Sequence, residues 1–326
     1  MRPFAYERAT SAEDALERHH DGAVYLGGGT NLVDLMRLGV EEPARLVDVA
    51  HLPYDEIELR PDGSLVIGSA VSNSALAADP TVREGHPMLV QAVLAGASGQ
   101  IRNLATVGGN LLQRTRCSYF QDAAKPCNKR NSGSGCPARE GEHHNLAILG
   151  HSQACVATHP SDMAVALAAL GASVRIQGRA GERTIPIDEL HRLPDNEPER
   201  DTTLEAGDLI TAVEVPALGI PSRYRKVRER ASFAFALVSI AAALDVEDGV
   251  VRDVRLALGG VAHKPWRAWR AEGELRGAEA VEESFVRAAE AELAAAEPLR
   301  DNAYKVPLAR NLIVRTLMEL GGVRES

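Results

Sequence analysis

All four cysteines of this 326-residue chain, Cys117, Cys127, Cys136 and Cys155, lie in one stretch that follows directly on Ala105-Thr106-Val107-Gly108-Gly109-Asn110-Leu111. Thiols confined in this way are placed for a shared ligand, which obliges the chain to wrap back on itself between positions 117 and 155. Pro126, Gly133, Gly135 and Pro137 make the stretch rich in turns. The spacing contains no Cys-x-x-Cys pair, which counts against a zinc ribbon. Disulfides are disfavoured because Met1-Arg2-Pro3-Phe4-Ala5-Tyr6 lacks the pattern of a secretory signal. A 4Fe-4S cluster, which needs four thiolates from a segment that also shields it from water, suits the pattern best. Arg114, Arg116, Lys125, Lys129, Arg130 and Arg139 stand there against Asp122, and such cations offset the charge of thiolates. A solvated basic loop touching RNA or an acidic partner, or four unrelated buried thiols, are the blander readings. His143, His144, His151 and His159 read as polar loop residues or hydrogen-bond partners, with replacement of one cysteine ligand left open.

The chain exceeds the about 250–300 residues that one hydrophobic core serves, so subdomains are expected. A net charge of -9 argues against general nucleic-acid binding, and no apolar run approaches the roughly 20 residues that span a bilayer. A cytoplasmic protein without membrane insertion is the expectation, with export alongside a partner left open. Residues 1–52 read as a small β-α-β unit: Ser11 caps a helix, 23–26 is a strand, Gly27-Gly28-Gly29-Thr30-Asn31 turns into an amphipathic helix, and 46–49 is a strand. A glycine turn feeding a helix exposes backbone N–H groups suited to phosphate oxygens. Residues 53–218 read as a second subdomain carrying the cysteine insertion at about 114–156. It has strands at 65–67, 173–176 and 209–215, and helices at 72–78, 87–95 and 163–170, the last opened by Pro160-Ser161-Asp162. A linker near 216–221 leads into residues 219–326, where 236–246 and 250–258 flank the hairpin turn Glu247-Asp248-Gly249 and helices follow at 281–296 and 307–320.

Neither glycine run is a dinucleotide fingerprint by itself. Their order is more specific: Gly27-Gly28-Gly29-Thr30-Asn31-Leu32, then Ala105 to Leu111, then Ser161-Asp162, then Tyr224-Arg225-Lys226-Val227-Arg228 with Phe233-Ala234-Phe235-Ala236. That order resembles the flavin subunits of the xanthine oxidase family of molybdenum hydroxylases over nearly the whole chain. In most such subunits the Gly-Gly-Asn stretch runs almost directly into Ser-Asp. The cysteine insertion looks like that of a narrower branch containing periplasmic aldehyde oxidoreductase and 4-hydroxybenzoyl-CoA reductase. Arg116-Cys117-Ser118-Tyr119-Phe120, Pro126-Cys127-Asn128-Lys129-Arg130 and Gly133-Ser134-Gly135-Cys136 look nearest to the aldehyde oxidoreductase.

The resemblance implies an α+β protein: a two-subdomain FAD-binding fold of the vanillyl-alcohol-oxidase type, then a smaller C-terminal domain of antiparallel sheet plus helices. It implies an FAD site at Leu26, Gly27, Gly28, Gly29, Thr30, Asn31, Leu32, Thr106, Gly108, Gly109 and Asn110. Ser161 and Asp162 would hold a ribityl or ribose hydroxyl, and Lys226 would lie near the isoalloxazine. It further implies a 4Fe-4S cluster on Cys117, Cys127, Cys136 and Cys155, and no catalytic residue in this chain. A large molybdenum-cofactor subunit and a small 2Fe-2S subunit would be its partners, in a heterotrimer or its dimer. Electrons would pass from 2Fe-2S clusters to FAD and on to an external acceptor. A free-standing FAD-dependent oxidase and a zinc-stabilised RNA- or protein-binding module are the alternatives.

Overall fold

Period-two strands and short capped helices alternate along the chain, and they close into three sheets. The computed structural model describes residues 1–20, 22–231 and 233–323. The first sheet is wholly parallel, in the order β1-β3-β2, from β1 (Ala5–Arg8), β2 (Ala23–Leu26) and β3 (Arg45–Asp48). Parallel neighbours need crossovers, supplied here by α1 (Ala12–Arg18) and α2 (Leu32–Arg37). Ser11 caps α1 by accepting from the Asp14 N–H, while the Asp14 carboxylate accepts from the Thr10 N–H.

The second sheet is antiparallel, in the order β4-β5-β8-β6-β7. Its strands are β4 (Ile57–Leu59), β5 (Leu65–Gly68), β6 (Ser173–Gly178), β7 (Gly181–Pro186) and β8 (Leu209–Val215). Between β5 and β6 the chain makes α3 (Asn73–Ala78), α4 (Pro80–Gly85), α5 (Pro87–Ala95), α6 (Gly99–Leu104), α7 (Val107–Leu111), α8 (Ser118–Gln121) and α9 (Asp162–Leu170). The short α10 (Ile187–Leu190) follows β7.

The third sheet, β12-β11-β10-β9, is also antiparallel, from β9 (Ser222–Val227), β10 (Val238–Glu247), β11 (Val250–Gly259) and β12 (Trp266–Arg267). Helices α11 (Trp269–Leu275), α12 (Glu282–Leu293) and α13 (Lys305–Leu320) cover one face. The expected hairpin joins β10 to β11 through Asp248 and Gly249, both at positive φ (54° and 76°), the geometry that suits a two-residue turn. Pro307 falls in the first turn of α13, where its missing N–H breaks no helical bond, so that helix starts earlier than the apolar pattern suggests.

Every residue of α9 is buried, and the helix lacks a polar face because both of its sides meet protein. Its residues share one core with Val174, Ile176 and Val213 of the second sheet and with Tyr224, Ala241 and Ala257 of the third. The exit of the cysteine segment is laced to the same C-terminal region. Ile148 and Leu149 donate to Val261 O, and the His159 N–H donates to Ala262 O.

Lys305 is fully buried at this junction and donates to Leu146 O (3.0 Å) and Gly260 O (2.7 Å). Burial without a counter-charge pushes its ammonium down to about 7. The folded value lies below that of the unfolded chain, so above pH 7 the unfolded state binds more protons and stability rises with pH. Thermal unfolding is expected to show a gain between pH 7 and 8.5 of up to about 1.4 kcal/mol per pH unit. Lys305→Met should flatten that slope; an unchanged slope would place the titration elsewhere.

Candidate cofactor site

The turn from β2 into α2 packs backbone to backbone against the turn from α6 into α7. Thr106 caps α7, its Oγ1 accepting from the Gly109 N–H at 3.2 Å. Glycine is needed on both sides of this contact. A Cβ on Gly27 would lie 2.9 Å from Thr106 Oγ1, and one on Gly28 would fall 1.7 Å from Leu104 O. Gly29 sits at φ 71°, the left-handed region that side chains avoid. The Val107 and Gly108 N–H groups donate to Val71 O and Ser69 O, which fix α7 to the second subdomain despite its two glycines.

Two cavities open on these turns, of about 330 and 210 Å³. The first is lined by Leu26, Gly27, Gly28, Gly29, Thr30, Asn31, Leu32, Thr106, Gly108 and Gly109, with Tyr25 and His19 at one end. The second is lined by Asn110, Asp162, Lys226, Arg116, Phe233 and Phe235 among others. Thr30, Asn31 and Gly109 belong to both, so one elongated ligand can lie across the turns from one cavity into the other. Their volumes suit a cofactor-sized molecule.

Asn31 supplies a direct sign of a missing partner. Its Oδ1 accepts from the Arg114 N–H at 2.8 Å, while its Nδ2 is buried with no acceptor. A buried amide donor left unpaired is costly, and this one stands where the two cavities meet. Asn73 Oδ1, also on the second cavity, is likewise buried and unpaired. The residues therefore fit an elongated ligand rich in acceptors and hydroxyls, as FAD is.

The polar residues of the second cavity are tied to one another. Asn110 Oδ1 accepts from Ser161 Oγ (2.5 Å) and Gln113 Nε2 (3.1 Å), and Ser161 caps α9 by accepting from the Ala164 N–H. Ser161 itself lines neither cavity. Asp162 accepts from Tyr224 OH at 2.5 Å on one oxygen and from Lys226 Nζ at 2.7 Å on the other. Lys226 donates also to Ala95 O, at 3.1 Å. Burial, with the Asp162 carboxylate beside it, pushes the Tyr224 hydroxyl well above its ordinary range. Tyr224 belongs to the stretch that carries the resemblance but not to the site residues it implies, although it sits two positions from Lys226 on the same face of β9.

The four cysteines are free thiols and all line a third, small cavity, enclosed by Phe120, Ala138, Val156 and Ala157. Burial pushes Cys117 up to about 11 and Cys155 up to about 12, the latter despite Lys129 nearby. Arg130 donates to Tyr119 O (2.7 Å), Phe120 O and Lys125 O, clamping α8 against the turn at Cys127. Gly135 N–H donates to Asn128 Oδ1 at 2.7 Å, closing that turn. Among the described residues no group of three or more His, Cys, Asp and Glu is gathered as a single ion would require. A four-iron cluster places each thiolate on a separate iron, so its sulfurs stand further apart than ligands of one ion.

The neighbouring cations are less available to thiolates than the sequence suggests. Arg114 pairs with Glu41 and Asp201, and Lys129 pairs with Asp201 and donates to Pro198 O at 2.7 Å. Burial alone would raise the Asp201 carboxyl, but Lys129, Arg114 and His263 hold it well below the usual range. None of the four histidines lines the cysteine cavity. His143 bonds Ala138 O and accepts from the Asp301 N–H, His151 bonds Glu297 O, His144 stacks on Tyr304, and His159 packs edge-on against His191.

Residues 2–218 match the family described as the FAD binding domain in molybdopterin dehydrogenase, and residues 222–320 match the CO dehydrogenase flavoprotein C-terminal domain. The chain is 48% identical to the aldehyde oxidoreductase FAD-binding subunit PaoB of Escherichia coli (strain K12), over 98% of both chains. It is 26% identical to the glyceraldehyde dehydrogenase medium chain of Sulfolobus acidocaldarius, over 84% of this chain and 81% of that one. Among solved structures it is similar to carbon monoxide dehydrogenase from Hydrogenophaga pseudoflava, with a TM-score of 0.76, 25% identity and all of both chains covered. Both family matches, the long relatives and the α+β architecture agree: the chain belongs to the FAD-binding subunits of the xanthine oxidase family of molybdenum hydroxylases.

Proposed function

We propose that this chain is the electron-transferring FAD subunit of a molybdenum-dependent aldehyde oxidoreductase and that it carries an additional 4Fe-4S cluster on Cys117, Cys127, Cys136 and Cys155. The observation that carries the reading is the succession of three cavities along one segment of the chain. Ala105, Thr106, Gly108, Gly109 and Asn110 wall the two cavities at the glycine turns, and Cys117 opens the wall of the third a few residues later. The 48% identity to an aldehyde oxidoreductase FAD-binding subunit supports the substrate class of the complex. Partners of two kinds belong to the reading, a large molybdenum-cofactor subunit and a small 2Fe-2S subunit, together with an external electron acceptor.

Bound FAD takes two electrons and releases them singly or together, so it joins one-electron carriers to a two-electron acceptor. The chain's own residues hold and shield it. N–H groups of the Gly27 to Asn31 turn would face phosphate oxygens, while the first N–H groups of α7 are taken by Val71 O, Ser69 O and Thr106 Oγ1 and hold that helix as the opposite wall. Asn31 Nδ2 offers the unpaired donor, and Asn110 is held for contact by Ser161. Asp162 presents a carboxylate whose charge Lys226 balances, which leaves it free to accept one further hydroxyl. Phe233 and Phe235 cover the second cavity.

Cys136→Ser tests the cluster. The complex purified without oxygen should lose about four irons per chain relative to the parent, with lower thermal stability of the segment around it. Unchanged iron content, or zinc in its place, would reject the assignment.

A further inference from the structure

Among the bases of the cysteine segment, Arg116 is set apart by being part-buried without a hydrogen-bond or acid partner among the described residues; Lys125 also lacks one there but is exposed. Arg114 and Lys129 have acid partners, Arg130 donates to three carbonyls, and Arg139 donates to Ser152 O at 3.0 Å. Arg116 makes no hydrogen bond or salt bridge among the described residues. Its Nε is buried and unpartnered, its guanidinium lies 5.0 Å from the centroid of the Phe235 ring, and its side chain forms part of the wall of the second cavity. Asp34, elsewhere on that wall, is the acid that acts on it from a distance. Withdrawing a guanidinium from water without a counter-ion is costly, so the site is arranged for a negative charge that arrives later.

The other cation of that wall does not meet the need. Lys226 is paired with Asp162 at 2.7 Å and donates also to Ala95 O. Adding two electrons and one proton to FAD bound in the cavity leaves one net negative charge there, with the electrons supplied by the partner subunit's iron-sulfur clusters. We propose that Arg116, and not Lys226, is the cofactor-facing cation that balances this charge and so sets the reduction potential of the flavin. The inference rests on the FAD reading above and deepens it. The next residue, Cys117, lines the cysteine cavity.

The test uses the assembled complex carrying Arg116→Gln, Arg116→Lys or Asp34→Asn, with FAD content measured by absorbance and the flavin midpoint by spectroelectrochemistry. Arg116→Gln is expected to keep its FAD and shift the reduction equilibrium at least tenfold toward the oxidised form. That is about 30 mV to the negative for a two-electron couple. Arg116→Lys should stay within threefold of the parent, and Asp34→Asn should move the midpoint the opposite way. A midpoint for Arg116→Gln within threefold of the parent overturns the inference. If Arg116→Gln loses its FAD, the other two variants decide: a negative shift in Arg116→Lys as large as tenfold, or no positive shift in Asp34→Asn, overturns it equally. A parent complex devoid of FAD would instead defeat the functional reading itself.

Discussion

Gly28→Ala is expected to yield a folded chain that carries almost no FAD. The added Cβ would lie 1.7 Å from Leu104 O and 2.6 Å from Leu104 C, both backbone atoms, so no rotamer change relieves the overlap. The turn after β2 and the turn before α7 must separate, and these two turns form the shared wall of both cavities. Overpacking in well-packed sites costs about 1–3 kcal/mol, and a backbone clash belongs at or above the upper end. About 3 kcal/mol placed on the binding equilibrium weakens FAD more than roughly 100-fold. Gly99→Ala is the control, since a Cβ there meets nothing within 4 Å and the position is helical. Flavin-to-protein ratios measured on both variants decide the matter: stoichiometric FAD in Gly28→Ala would show that the two turns are not the cradle.

Asp162→Ala carries the second large effect, and it separates two roles of one carboxylate. Removing it leaves Lys226, whose side chain is 4% exposed, with Ala95 O as its remaining partner, and leaves the Tyr224 hydroxyl without its acceptor. Breaking a buried pair from one side costs about 3–5 kcal/mol, so unfolding should come at a distinctly lower temperature. Adding Lys226→Met removes the stranded charge, and the double variant should recover most of that stability. The FAD content of the double variant then reports on the cofactor. Recovered stability with lost FAD means that the Asp162–Lys226 pair contacts the cofactor, whereas recovery of both means that the pair serves the fold. A single variant as stable as the parent would contradict the buried pair.

The elements that could be read from sequence are those whose signals are local. Ser11 and Ser72 lie at their caps because a hydroxyl before an apolar-periodic run satisfies a free helical N–H. The β10–β11 hairpin follows from Asp248-Gly249, and α9 from a Pro-Ser-Asp opening before an apolar run. Helix α7 is different: Gly108 and Gly109 argue against a helix, and it exists because Thr106, Ser69 and Val71 fix its first turn. The site was legible as a set of glycine turns, an Asp and a Lys. What could not be read was the pairing among them. Asp162 is far along the chain from Tyr224 and Lys226, and only the packing of α9 against β9 makes them one group. In sequence Arg116 is one base among several, and its distinction, a buried Nε without a partner, is reported by no one-dimensional pattern.

The placement of α9 bears on how such subunits can diverge. The two sequence families meet between residues 218 and 222, yet the helix belonging to the first presses against strands belonging to the second. The halves are therefore modules of inheritance rather than of independent stability. Grafting the C-terminal half of one relative onto the N-terminal half of another would juxtapose two surfaces that had adapted to other partners. Chimeras in this family should survive only when the seam is moved into the helix's neighbours or when both faces are exchanged together.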